Sequence, residues 1–166
     1  MVVPWSANEP LPGGIGRQCL ALVESQSTAY LSTIDAEGYP QTRAVFNLRC
    51  RERFPGMAPL LRGHDLDLLL YFTTNTSSGK VAELRQRPQA CAYICRAETS
   101  EGITLTGNLE FVDDEPTKAA CWHPWWVRYY PGGPADPEYA ILRLRPIWLR
   151  GWIRGGPVKC ALPLPD

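Results

Sequence analysis

No charge of one sign dominates this sequence: 17 Lys and Arg are matched by 17 Asp and Glu, so the formal net charge is zero. A general electrostatic attraction to nucleic acid or to an anionic membrane surface is therefore excluded as its principal role. There is no run of about 18 apolar residues, so no segment is expected to span a bilayer. The opening MVVPWSANEPLPGG has no basic stretch followed by an apolar one, and no secretory leader is expected. A soluble cytoplasmic protein is the resulting expectation. Histidine is scarce, with only His64 and His123, and the six cysteines form no CxxC pair. A strand would place Cys91 and Cys95 on one face, but they lack further soft ligands and no metal site is expected. Small apolar packing residues in a reducing compartment is the plainer reading of the cysteines.

What is present is enough for one domain with a sizeable core: 166 residues, 45% of them hydrophobic. The Pro/Gly-rich segment 1–14 reads as an irregular arm, 15–153 as the domain and 154–166 as a C-terminal tail. Ile15, Cys19, Leu20, Leu22 and Val23 recur at helical spacing and predict a helix over Ile15–Glu24. The period then changes to strand-like over Thr28–Ile34 and Gln41–Leu48, joined by the turn Asp35–Gly38 into a hairpin. Arg49–Gly63 holds Pro55, Gly56 and Pro59, and reads as a mobile loop. Leu66–Thr74 is a dense apolar run, as in a strand buried on both faces. A short serine-capped helix follows over Lys80–Arg85. Ala90–Ala97 and Ile103–Val112 predict two more strands, and a helix is expected after Asp113-Asp114-Glu115-Pro116. Tyr139–Leu144 and Ile147–Ile153 read as a strand pair broken at Pro146. About seven strands without a βαβ rhythm predict a mainly β fold, a β-barrel with peripheral helices.

The strongest functional signal is Phe72-Thr73-Thr74-Asn75-Thr76-Ser77-Ser78-Gly79-Lys80. A buried strand runs into a hydroxyl-rich turn, and a helix opens with a lysine in its first turn. Free N–H groups, hydroxyls and an ammonium together suit a phosphate. Of the 17 Lys and Arg only Lys80, Lys118 and Lys159 are lysines, which singles Lys80 out. GxxxxGK[ST] is absent, so this is not a P-loop, and a capped helix with an incidental lysine is the alternative. A second signal is Arg43-Ala44-Val45: an arginine able to grip phosphate, beside small residues that let a planar ligand approach the backbone. An edge-strand arginine in solvent is the alternative there.

In order, STAYLSTIDAEGYPQTRAV, LYFTTNTSSGKVAELRQRPQACAYI, ITLTGNLEFVDD and WWVRYYPGGPADPEYAILRLRP resemble the FMN-binding split-barrel proteins related to pyridoxamine 5′-phosphate oxidase. The likeness is strongest to their general-stress-protein-like branch and covers roughly Ile15 to Trp152. It implies a homodimer with FMN at the subunit interface. Arg43 would meet the phosphate side of FMN, and the backbone at Ala44 and Val45 would face the ring. Thr73 and Thr74 would lie near the ring and ribityl chain, with Ser78 and Lys80 on the phosphate. Trp125 and Trp126 match the branch's WW and are expected in dimer or pocket packing, or in the core.

Two departures bear on the reaction. Gly79 stands where the oxidases carry a basic residue, and no histidine follows Trp152. The resemblance therefore implies the fold and the cofactor without the oxidases' substrate, and no catalytic residue is named. The leading expectation is an FMN-dependent oxidoreductase acting on an unidentified small molecule. A flavin-binding, stress-related protein without specific turnover is the alternative. Haem or a deazaflavin in place of FMN, with His64 or His123 as an axial ligand for haem, and a bare interaction domain complete the set.

Overall fold

The computed structural model describes residues 14–164; the arm 1–13 and residues 165–166 lie outside them. Its elements in chain order are α1 (Ile15–Ser25), β1 (Thr28–Ile34), β2 (Pro40–Phe46), α2 (Ala58–Leu61), β3 (Leu70–Asn75) and α3 (Gly79–Gln86). There follow β4 (Gln89–Arg96), β5 (Glu101–Val112), α4 (Glu115–Cys121), β6 (Tyr139–Ile153) and β7 (Gly156–Ala161). Local chemistry accounts for most of these. In β1, Ala29, Leu31 and Thr33 are buried while Tyr30 faces outward, the alternation of a strand with one covered face. Gly38, at φ 93°, turns the hairpin, and Asp35 Oδ1 accepts from Tyr39 N at 2.7 Å. Asp114 caps α4 by accepting from Thr117 N at 2.8 Å.

All strand pairs are antiparallel, in the order β2-β1-β4-β5-β6-β3. The long β6 divides its outer edge: β3 pairs with Tyr139–Leu144 and β7 with Trp148–Ile153. Leu48 N donates to Tyr71 O at 3.2 Å, joining the chain just past β2 to β3, so the sheet curls into a half-barrel. This is the split-barrel fold, and the expected mainly β class holds. Leu31, Ile94, Leu105, Phe72, Leu142 and Leu149 fill the barrel, closed on one side by Leu22 and Val23 of α1. A second cluster, with Tyr71, Trp126, Tyr139 and Ile141, lies on the other face of β3 and β6. β3 is thus covered on both faces, as its unbroken apolar run implies.

Several boundaries differ from the sequence reading. Pro146 does not break β6; it pairs with Gly107 where the register between β5 and β6 shifts. A bulge accommodates the proline's missing N–H, and a Cβ at residue 107 would lie 3.0 Å from Pro146 Cα. The segment read as a tail supplies β7, and Leu164 N donates to Leu66 O at 2.7 Å. The strand expected from Leu66 begins at Leu70, because Leu68 takes φ 51° and turns the chain. The stretch 49–63 is not an open loop. It folds as a 3-10 turn and α2, with Phe54, Met57 and Leu61 buried. Arg49, whose side chain is fully buried, anchors it by donating to Leu69 O (2.9 Å) and Asp65 Oδ1 (3.1 Å).

Candidate flavin cleft

Where β2 and β3 end side by side, the chain leaves a cleft of about 360 Å³. Thr28 of β1, Ala44, Val45 and Phe46 of β2, and Thr73, Thr74 and Asn75 of β3 form its floor and sides. Lys80 enters from α3, and Trp126, Tyr129 and Tyr130 come from the turn after α4. Five of the seven residues singled out in the sequence therefore line one cavity: Ala44, Val45, Thr73, Thr74 and Lys80. Ser78 lies directly behind them.

The polar part of the cleft is a short chain of contacts. Lys80 Nζ donates to Thr74 Oγ1 at 2.7 Å and to Ser78 Oγ at 3.3 Å, and the two hydroxyls are 3.2 Å apart. Ser78 occupies the N-cap of α3, but its hydroxyl does not cap the helix. The expected serine cap is replaced by this contact with the lysine. Among the described residues no carboxylate forms a salt bridge with Lys80. Burial, and secondarily the charge of Arg43, lower the Lys80 pKa from its ordinary 10.5, while Glu83 opposes the shift.

Arg43 is not on the cleft wall. Its Nη2 donates to Glu83 Oε2 at 3.0 Å, and its Nη1 to Gln41 O at 2.8 Å and to Thr33 Oγ1. The sequence reading put this guanidinium on the ligand, and the structure ties it to a carboxylate of α3.

The aromatic part of the cleft is a network of packed rings. Trp126, 1% exposed, has its ring centroid 6.2 Å from Phe46, 5.8 Å from Phe54 and 6.1 Å from Tyr139. It is both core residue and cleft wall, so the two roles expected of it coexist. Trp125 is 40% exposed and packs edge-on against Phe46 and Tyr129. Tyr130 OH donates to Asn75 Oδ1 at 3.2 Å, and burial raises its pKa above 10. Sequence reasoning gave no site role to Phe46, Asn75, Tyr129, Tyr130 or Glu83, although Asn75 stands within the Phe72–Lys80 stretch. For Tyr129 and Tyr130 the adjoining WW motif was the available signal.

Neither histidine lines the cleft. His64 Nδ1 is 2.7 Å from Asp67 Oδ2, and His123 Nδ1 accepts from Trp125 N at 3.3 Å. No group of three or more metal-ligating side chains occurs among the described residues. All six cysteines are unpaired thiols. No helix of the described residues is long and apolar enough to cross a membrane.

Residues 15–153 match the pyridoxamine 5′-phosphate oxidase family profile. The chain belongs to that family. No curated protein matches its sequence. Among solved structures, a protein from Clostridium acetobutylicum related to general stress protein 26 is 23% identical, with a TM-score of 0.74. That match covers 92% of this chain and 97% of the other. A pyridoxamine 5′-phosphate oxidase-related FMN-binding protein from Nostoc punctiforme is 20% identical over 86% of each chain, with a TM-score of 0.61. A haem-binding protein from Mycobacterium smegmatis is 19% identical, with a TM-score of 0.63, over 96% of this chain and 60% of that one. At these identities the structural likeness concerns the fold. This family member therefore shares its split barrel with an FMN-binding protein and a haem-binding protein alike.

Proposed function

We propose that this chain binds FMN in the cleft as a homodimer and serves as an FMN-dependent oxidoreductase for a small organic molecule. The observation that carries the reading is Lys80, a half-buried cation partnered, among the described residues, only by hydroxyl oxygens, in a cleft that also has an aromatic wall. A phosphate supplies the charge this cation lacks, and a planar ring suits Phe46 and Trp126. A volume of about 360 Å³ lies in the range of small-molecule sites. In this reading Lys80, Ser78 and Thr74 hold the phosphate, Thr73 lies along the ribityl chain and Ala44 and Val45 pack on the ring. Arg43 stands beside the phosphate group.

Bound FMN supplies hydride or electron transfer chemistry. The protein's part is to bind, orient and shield. Tyr130, kept protonated by burial, holds Asn75 in place by donating to its amide oxygen. Among the described residues of the cleft there is no Asp, Glu or His to act as a general acid or base. That keeps a flavin-binding protein without specific turnover as the second reading. Pyridoxamine 5′-phosphate is disfavoured as substrate. The segment after Trp152 is spent on the hairpin into β7, with Arg154 at φ 52° and its N–H on Glu101 Oε1 at 3.2 Å. The haem reading lacks an axial imidazole in the cleft.

The homodimer rests on the outer face of the sheet. Ala44, on the cleft wall, pairs across the strands with Tyr30, which pairs with Tyr93; both tyrosines are 42% exposed. A second copy on this row would cover the open side of the cleft as well. Unpaired cysteines support a reducing, cytoplasmic setting, and zero net charge supports a small-molecule partner over nucleic acid or membrane.

The test is the visible spectrum of the purified protein and the mass of the cofactor released on unfolding, followed by anaerobic reduction with NADH and NADPH. A flavin spectrum, a released mass equal to FMN and bleaching by a nicotinamide support the enzyme. FMN that no donor reduces favours the second reading. Released haem, or no cofactor and no FMN binding, removes both.

A further inference from the structure

Arg43 has both terminal guanidinium nitrogens committed inside the protein. Nη1 meets Thr33 Oγ1 and Gln41 O, and Nη2 meets Glu83 Oε2 at 3.0 Å. Thr33, fully buried, also donates to that carboxylate oxygen, so the three side chains form a closed triangle. Glu83 and Lys80 are three residues apart on α3 and share a helix face. The helix thus presents a cation to the cleft and, one turn later, a carboxylate to Arg43. The residues next to Arg43 in the chain, Ala44 and Val45, line the cleft, and its charge is felt at Lys80. Held by Glu83, the guanidinium lies one turn of α3 from Lys80, the proposed phosphate position.

The geometry points to Glu83 as the residue that sets phosphate affinity, its carboxylate competing with the ligand phosphate for Arg43. This rests on the flavin reading of the cleft. In the free protein Glu83 neutralises one of two neighbouring cations, which limits their mutual repulsion. A phosphate bound at Lys80, Thr74 and Ser78 is a second anion within reach of Arg43. It offers paired oxygens that match the guanidinium fork. Exchange of Arg43 from carboxylate to phosphate gives up an existing ion pair, so Arg43 adds less affinity than a free arginine would. Riboflavin has the same ring system and no phosphate, and does not engage this exchange.

The test uses the full chain and measures dissociation constants of FMN and riboflavin for the wild type, Glu83→Gln, Arg43→Ala and the double variant. Glu83→Gln is expected to tighten FMN by about threefold to tenfold and leave riboflavin unchanged. Arg43→Ala alone is expected to cost little, and in the Glu83→Gln background to abolish the gain. Weaker FMN binding by Glu83→Gln, or no change, would overturn the proposal; a loss would make Glu83 a support for Arg43. A gain that survives in the double variant overturns it too, because Glu83 then repels the phosphate directly. Failure of the wild type to bind FMN at all defeats the flavin reading instead. Should Glu83→Gln not fold, wild-type arginine side-chain NMR decides: Arg43 signals must shift with FMN and not with riboflavin, and their standing still refutes the exchange.

Discussion

Lys80 Nζ donates to Thr74 Oγ1 at 2.7 Å, tying the first turn of α3 to the end of β3 through a cation. A serine cap would have stabilised the helix at less cost. Here Ser78 gives its hydroxyl to the lysine, and the lysine is held partly desolvated with no contacting carboxylate among the described residues. Such an arrangement sacrifices stability of the empty protein, the trade expected of the proposed phosphate site.

The first prediction concerns this trade. Charge-assisted hydrogen bonds contribute about 1.5–3 kcal/mol, so Lys80→Met should weaken FMN by about tenfold to hundredfold. Riboflavin affinity should hardly change, and the flavin-free protein should resist urea at least as well as the wild type. The pH dependence has two opposite signs. The folded pKa of Lys80 lies below 10.5, so between the two values the unfolded chain binds more protons and flavin-free stability rises with pH. Across the same window the ammonium is lost from the fold, and FMN affinity falls while riboflavin affinity stays flat. Isothermal titration with both flavins and urea melts at several pH values check both slopes.

Arg49 is expected to be worth far more to stability than its surface neighbours. It is fully buried and joins the 49–63 stretch to Leu69 O and Asp65, with Glu24 Oε1 3.7 Å from its Nε. Arg49→Met removes the cation and strands its partners, at a cost of about 3 kcal/mol in urea unfolding. FMN affinity of the folded fraction should be unaffected, since Arg49 does not line the cleft.

The two adjacent tryptophans should separate cleanly. Trp126→Ala empties a packed aromatic cluster and should cost about 3–5 kcal/mol, together with flavin affinity. Trp125→Ala removes a ring already 40% exposed and should cost about 1 kcal/mol or less. Equal losses in chemical denaturation would refute the division of labour between them.

Tyr30 tests the proposed assembly. Tyr30→Asp places a charge on the outer sheet face without touching the barrel interior. Sedimentation at micromolar concentration should show monomers for the variant and dimers for the wild type. FMN binding should weaken with it, because the covering copy is gone. A wild type that sediments as a flavin-loaded monomer removes the dimer.

Much of what depends on near neighbours was legible in the chain, the absent Ser78 cap and the turn at Leu68 excepted. The amphipathic period of α1, the Asp35–Gly38 turn, the acidic cluster and proline ahead of α4 and the strand-like period of β1 place these elements within a residue or two. The FTTNTSSGK stretch likewise brought Thr73, Thr74, Ser78 and Lys80 together, because a strand end and the next helix start are contiguous. Its ordered motifs also carried the resemblance to the family that residues 15–153 match.

Non-local partners decided the rest. Gly156–Ala161 has no strand pattern strong enough to declare itself, and it is a strand because β6 leaves half an edge open. Pro146 reads as a break until Gly107 on β5 is seen to supply the bulge that accommodates it. Nothing near Arg43 in the chain announces that Glu83, 40 residues away, pairs with its guanidinium. The aromatic wall joins Phe46 to Trp126 across about half the length of the chain. Turn, cap and period are energies of neighbouring residues, whereas the partner of a charge or an edge is chosen only when the sheet closes.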